Sequence, residues 1–395
     1  MAAPVDSGYL QSNDPTKPRS DAAVPFRDII PASTHPRIAG IAGHDALSWC
    51  ESRRQIEAPA WLINRLEKKN LEQPYKGFTS DGKVREGLYE YADDEGAPTE
   101  EVIVKTEELM KILSEQQRKA VHCGEVTDDE FRLWSNPELY MNPGGLRLDE
   151  CSPDIQTAIH AIIRASSSKQ GYEKILGCCL TNDFLGHLVN GKKVLNEHSY
   201  NFRLFGTRSL TSPWGYTFFG HHLCINVVFL GKRMVIGPTF MGAEPDRIDE
   251  GPHAGLRLFR TEELESLKLM QGLPTELQEK ATLSKEGCPV SEFPPDKQES
   301  IINLFLAFNE YYPEPVLQHR LALFKKYLPE TYFAWIGEFG DEDPYYYRIH
   351  SPVGFMELDF HCGIFLTNTS PARCHIHTTN RLPNRGDYGR ALIGA

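Results

Sequence analysis

The chain has 395 residues, 40% of them hydrophobic and 24% charged, which is the composition of a folded globular protein rather than a disordered one. Its formal net charge of -12 argues against a nucleic-acid binder, because phosphate binding needs basic patches. No apolar run reaches the roughly 18–20 residues needed to cross a bilayer, so the expected partners include neither nucleic acid nor membrane.

The N-terminus has no basic stretch followed by an apolar one, as a secretory leader would have. The nine cysteines are irregularly spaced, Cys178 and Cys179 are adjacent, and no C-x-x-C occurs. Free thiols in a reducing compartment fit this pattern, and the expected location is cytoplasmic.

In chain order, residues 1–25 are polar and proline-bearing and read as a disordered or surface arm. Residues 26–100 read as a helical N-terminal extension with an acidic loop. Trp49, Ile56, Trp61, Leu62 and Leu66 recur at helical spacing, and the acidic, turn-rich run follows from Thr79. Residues 101–395 form the main unit. "TEELMKILSEQQRKAVHCG" predicts a helix pair with Thr106 as the N-cap. "TEELESLKLMQGLPTELQEKATL" echoes it from Thr261, and shared capping rules explain so short an echo better than a repeat does. Glu262 and Glu263 then read as first-turn helix acids. Ser152-Pro153 opens a further helix with Ile155, Ile159, Ile162 and Ile163 on one face.

From Tyr200 the texture becomes aromatic and β-branched. "HHLCINVVFL" and "RMVIGPTF" flank Leu230-Gly231-Lys232, a hairpin signal. Helical patterns return from Gln298. "DPYYYRIHSPVGFMELDFH" and "GIFLTN" read as an antiparallel pair, with "RCHIHTTNR" as a third strand. Helices, strands, helices and strands in succession predict an α+β fold. A central antiparallel sheet is packed by helices in a single large domain carrying an N-terminal arm.

The histidines carry the chemistry. His375 and His377 stand at i and i+2 and share one face of a strand. His221 and His222 are adjacent at the start of an apolar strand, where neighbours face opposite sides. Three imidazoles from two strands suit zinc, iron, copper or manganese. Sheet-face histidines with ordinary hydrogen-bond partners are the plainer reading. Glu357, with Asp359 two residues on, offers a carboxylate as base or ligand. Arg348, Arg373 and Arg381 lie on or beside the same strands, and Arg348 or Arg381 can anchor an acidic group. Trp214 and Phe218 are candidates to wall an apolar pocket, and Glu244 sits in a turn beside it. No G-x-S-x-G, H-E-x-x-H, phosphate-binding loop or dinucleotide fingerprint is present.

The runs "YNFRLFGTRSLTSPWGYTFFGHHLCINVVF", "GPTFMGAEP", "GLRLFRTEEL" and "CHIHTTNRLPNRGDYGRALI" resemble a bacterial and fungal family carried as a domain of unknown function. "SEQQRKAV", "RLWSNP" and "SSSKQGYEKI" match its N-terminal half, so the resemblance runs from about Glu101 to the end. It implies one folded unit in which Gly-His-His and His-x-His act together, and it implies no particular reaction.

The expectation is therefore a divalent metal, zinc or iron, on His375, His377 and one of His221 and His222. His222 is preferred because it shares strand parity with Cys224 and Asn226. Glu357 serves as base, and an arginine orients a small acidic or carbonyl-bearing substrate. Metal-activated water then gives hydrolase or lyase chemistry. The alternatives are a non-heme iron or copper oxygenase on the same histidines, a non-catalytic ligand-binding protein, and metal-free acid/base catalysis. The sequence does not speak to oligomeric state.

Overall fold

The computed structural model describes residues 25–67, 72, 75–79, 81–283 and 286–394. The expected N-terminal arm, Pro25 apart, lies outside the described residues. Among the described residues no helix is long and apolar enough to cross a membrane.

Two helices come first, α1 (Ala46–Arg53) and α2 (Glu57–Glu67). One succession of elements then occurs twice. In the first pass α3 (Thr99–Ile112) and α4 (Glu115–Val121) lead to a two-residue strand, β1 (Leu146–Arg147), and a 3-10 turn. Then come α5 (Pro153–Ala165), α6 (Lys169–Leu188) and four strands: β2 (Tyr200–Phe205), β3 (Trp214–Gly220), β4 (Leu223–Leu230) and β5 (Arg233–Ala243). In the second pass α7 (Arg260–Gln271) and α8 (Thr275–Leu283) lead to β6 (Cys288–Pro289) and another 3-10 turn. α9 (Pro295–Asn309) and α10 (Glu314–Lys326) follow, then β7 (Tyr332–Ile336), β8 (Tyr346–Ser351), β9 (Gly354–His361) and β10 (Ala372–Arg381). A single turn, α11 (Arg390–Ile393), closes the described chain.

The fold is α+β, as expected. All strands join one antiparallel sheet in the order β1-β2-β3-β4-β5-β10-β9-β8-β7-β6. Two meanders thus meet at β5 and β10 about a pseudo-two-fold axis. Ile225 pairs with Thr239, and its counterpart Met356 pairs with Asn380. Thr239 and Asn380 also pair with each other, so the axis passes between them. Gly145 and Gly287 precede β1 and β6. Both have positive φ, and a Cβ on either would lie 2.3 Å from a carbonyl oxygen, of Phe202 or of Phe333. The repetition is therefore architectural and goes beyond shared capping rules.

Strand alternation sorts the side chains by face. Trp214, Tyr216 and Phe218 of β3 join Tyr347 and Ile349 of β8, Leu358 of β9 and Ile376 of β10 in one core shared with the helices. Each such aromatic or branched side chain contributes about 1.5–3 kcal/mol on burial. On the opposite face, β2 to β5 are covered by small apolar clusters, such as Val228 with Phe131, Phe205 and Tyr388. Over β8 to β10 that face is half open: Tyr346, Arg348, Glu357, Asp359, His361, His377 and Arg381 are all partly exposed.

Two local expectations are corrected. Helix α3 begins at Thr99, and the Thr106 hydroxyl instead donates to the Val102 carbonyl in mid-helix. The helix starts one Thr-Glu-Glu earlier than predicted, with Pro98 rather than a threonine at the N-cap, and the Thr99 hydroxyl donates to the Gly231 carbonyl instead of capping. The C-terminal hairpin lies wholly within the first quoted run, turning at Pro352-Val353 between Ser351 and Gly354. "GIFLTN" is a loop, because its backbone amides are taken by a buried carboxylate described below.

Candidate metal centre

β10 is an interior strand between β5 and β9. Its alternation sends Cys374 and Ile376 to the helix-covered core, leaving His375 and His377 together on the other face. The pair shares a face as the spacing predicts.

His221 and His222 are not strand residues. They form the two-residue turn between β3 and β4, closed by the Gly220–Leu223 pair. Strand parity therefore does not decide between them; the turn does. His222 has φ 58°, a left-handed conformation that non-glycine residues rarely adopt. Two hydrogen bonds hold it there: its N–H donates to the Asn136 carbonyl (2.9 Å), and the Gly242 N–H donates to the His222 carbonyl (2.8 Å). The ring points over β5 to β10. Its Nε2 lies 3.2 Å from His375 Nε2 and 3.3 Å from His377 Nε2. His221 stacks on His222 at 3.9 Å between centroids, but its Nδ1 turns the other way, 2.8 Å from Asn182 Oδ1.

The close approach of His222 and His377 depends on Gly242, which pairs with His377 across β5 and β10. A Cβ there would stand 2.8 Å from His377 Cδ2 and 3.2 Å from His222 Cδ2.

Burial and tautomers suit these rings to a cation. His375 is fully buried and His222 is 6% exposed. Burial, reinforced by the neighbouring histidines, holds both well below the usual histidine pKa, so they are neutral. Burial also pushes His221 down to about 3. His375 Nδ1–H donates to the Cys362 carbonyl (2.9 Å), which leaves the Nε2 lone pair facing His222. His222 Nε2 faces two other nitrogens and has at most one proton to offer them. Two nitrogen ligands on bonds of about 2.05 Å at the tetrahedral angle lie roughly 3.3 Å apart, which is the spacing these atoms have.

Two residues of β9 stand on the open side: Asp359, the second acid of the Glu357 pair, and His361, which the spacing of the other histidines does not point to. Asp359 pairs with His377 across β9 and β10, its Oδ2 3.5 Å from His377 Nδ1. His361 continues the same face of β9. Its ring centroid is 5.1 Å from that of His375 and 5.0 Å from that of His377, and its Nδ1 also meets the Cys362 carbonyl (2.8 Å). The signal was in "ELDFH", where Glu357, Asp359 and His361 alternate on one face. His222, His375 and His377 have ligand atoms all within 4.8 Å of one another, as do Asp359, His361 and His377.

The remaining sequence candidates divide. Glu357 lies one row along the same face, opposite Thr379 and Arg348, and accepts a hydrogen bond from the Tyr346 hydroxyl. It is outside both histidine groups, so the carboxylate nearest His377 is Asp359. Arg381 is on this face too, its Nε 2.7 Å from the buried Asp387 carboxylate. Arg373 points instead into the helix-side network, 2.9 Å from Glu263. Trp214 and Phe218 are fully buried on the helix-covered side, Trp214 stacked on Phe229 and Phe218 against Tyr200. They are core aromatics on the far side of the sheet from the histidines.

Glu244 is a structural neighbour of the centre. Its buried carboxylate accepts hydrogen bonds from the amides of Ile364 (2.9 Å), Phe365 (3.0 Å) and Leu366 (2.8 Å), and lies 3.8 Å from His375 Nδ1. Burial raises its pKa to about 7 against the pull of those amides. Arg37 reaches the Gly363 carbonyl (2.7 Å) and the Leu366 carbonyl in the same loop. The loop so anchored presents the Cys362 carbonyl to His375 and His361.

Comparison with curated proteins and with solved structures returns no match. A family model described as "Protein of unknown function (DUF3500)" matches residues 95–286 and 283–390. These segments take in both meanders and all four histidines of the centre, and the chain belongs to that family.

Proposed function

We propose that this protein is a metal-dependent enzyme in which His222, His375 and His377 bind one divalent cation through Nε2 and a water completes its coordination. The observation that carries the reading is the convergence of three Nε2 atoms at 3.2 and 3.3 Å, with the His375 tautomer fixed by a backbone carbonyl. Three neutral nitrogen ligands leave the cation its full charge, which acidifies a bound water for hydrolysis or hydration at neutral pH.

The open side of the centre supports a substrate rather than a closed structural site. Asp359 and His361 stand there beside His377, and with a single cation bound either would be placed to accept a proton from its water. In such a one-metal centre they, rather than Glu357, would supply the base. Arg348, Glu357, Thr379 and Arg381 extend the same sheet face, and their mixed charges suit a small molecule with a carboxylate or carbonyl.

The test is elemental analysis of protein purified without a histidine tag, beside His222→Ala and His375→Ala. Metal at one equivalent or more in the wild type, lost from both variants with the fold intact, supports the proposal. Bound zinc directs assays to esters, amides and hydratable substrates; iron or copper directs them to oxygen uptake. A wild-type chain that takes up no metal after reconstitution overturns it and leaves acid/base or ligand-binding histidines.

A further inference from the structure

The second histidine group has its own geometry. His377 presents Nε2 to His222, so the nitrogen it offers on the open side is Nδ1. That atom is 3.5 Å from Asp359 Oδ2. A charge-assisted hydrogen bond would be shorter, about 2.7–2.9 Å. A nitrogen and a carboxylate oxygen that share a cation on bonds of about 2.1 Å lie roughly 3.4 Å apart. His361 supplies a third donor: its Nδ1–H is committed to the Cys362 carbonyl (2.8 Å), which leaves its Nε2 unprotonated, and its ligand atom lies within 4.8 Å of those of Asp359 and His377. Asp359, His361 and His377 are each partly exposed, so water can fill further coordination positions.

Resting on the one-metal reading above, we infer that the centre holds two divalent cations, the second on Asp359, His361 and His377, with the His377 ring bridging them. The first cation takes His377 Nε2 and the second takes Nδ1, whose proton leaves to solvent as the nitrogen–metal bond forms. The Asp359 carboxylate balances part of the added charge. Strand register builds this arrangement: Asp359 sits opposite His377, and His361 is two residues along the same face.

The pseudo-two-fold supplies a comparison within the chain. By register, Val228 and Val235 are the counterparts of Asp359 and His377, and Pro352-Val353 forms the turn where His221-His222 stands. The fold fills the related position with apolar side chains, so the Asp359–His377 pair answers to something other than architecture.

The experiment is reconstitution of the full chain with Cu(II), read by metal stoichiometry and by electron paramagnetic resonance. Two coppers across one imidazole ring couple magnetically and suppress the isolated Cu(II) signal. The expected result is two equivalents with a coupled spectrum in the wild type. His361→Ala and Asp359→Ala should each fall to one equivalent and an ordinary Cu(II) spectrum, with circular dichroism unchanged. One equivalent in the wild type that survives both variants overturns the second position and leaves the first standing. Two equivalents that show no coupling overturn the bridge. No bound copper at all overturns both readings.

Discussion

Gly242→Ala is the smallest change that should dismantle the centre without touching a ligand. Gly242 has no positive φ, so alanine is allowed on backbone grounds. The added Cβ meets His377 Cδ2 and the Ile376 carbonyl oxygen, each at 2.8 Å, and His222 Cδ2 at 3.2 Å. Relief to ordinary contact distance needs a displacement of roughly half an ångström, shared between the His222 and His377 rings and the β5–β10 ladder. Metal–ligand distances tolerate about 0.2 Å. Overpacking of this kind costs about 1–3 kcal/mol, which a sheet of this size survives. The expected outcome is a folded protein with modestly lowered unfolding free energy and a fall in metal affinity of at least about 10-fold. Urea denaturation and competition against a chromophoric chelator measure the two effects. Gly242→Ala with wild-type affinity would refute the claim that this glycine sets the spacing of His222 and His377.

The two turn histidines should separate cleanly. His221→Phe keeps the stack on His222 and should retain metal, whereas His222→Phe should lose it, as the same chelator competition will read. Lys174 is a stability prediction: its ammonium lies 2.5 Å from both Glu262 and Glu310, and both Lys174 and Glu262 are almost fully buried. Lys174→Met leaves the Glu262 charge unpaired and should cost about 3–5 kcal/mol, with much of it recovered in Lys174→Met/Glu262→Gln; a cost below about 1 kcal/mol in the single variant would refute the pairing. His160 is held down to about 4 by burial, with the charges of His198 and Arg164 adding to it. His160 therefore stays neutral in the folded state while it takes up a proton in the unfolded chain below about pH 6.5, so stability falls as pH drops from 6.5 towards 4. His160→Phe should flatten that slope by about 1.4 kcal/mol per pH unit within this window, measured by denaturation at fixed pH steps.

What the sequence disclosed followed from periodicity, and what it hid depended on turns and distant partners. The His375–His377 pair was legible because i and i+2 share a strand face wherever the strand lies. Strand parity picks His222 over His221, and the His222 ring does lie beside His375 and His377, but the reason is a left-handed turn conformation that parity does not describe. Asp359 and His361 carried a readable alternation, yet selecting them required knowing that β9 pairs with β10 so that Asp359 falls opposite His377. Glu262 looked like a first-turn helix acid and is one, but burial against Lys174 on α6 gives it a different role, which no local pattern encodes. Likewise Trp214 and Phe218 alternate as pocket walls and core side chains both do. The architectural repeat hid for a related reason. The echo at Thr106 and Thr261 is offset from the true start of α3, while the Gly145 and Gly287 segments share little beyond the glycine, a glutamate five residues on and a later Pro-Asp.

The pseudo-two-fold turns that repeat into a control. Val228 sits between Gly215 and Val235, and Asp359 sits between Tyr346 and His377, at related places in the two meanders. If the sheet needed polar side chains at this register, the first meander would carry them too. It carries valines, which suit a pleated surface. Asp359→Val/His377→Val copies the first meander's pair into the second. Cross-strand pairs differ by about 0.2–1 kcal/mol, and the valines remove an acid and an imidazole with no folding role, so unfolding free energy should stay within about 1 kcal/mol of the metal-free wild type. Metal binding should vanish at both positions, because the two proposed cations share His377. Urea denaturation of the metal-free proteins beside copper titration measures the two halves of this claim. A variant that loses several kcal/mol of stability would mean that Asp359 and His377 hold the sheet together. A variant that is equally stable and metal-free means that the second meander keeps these residues for what they bind.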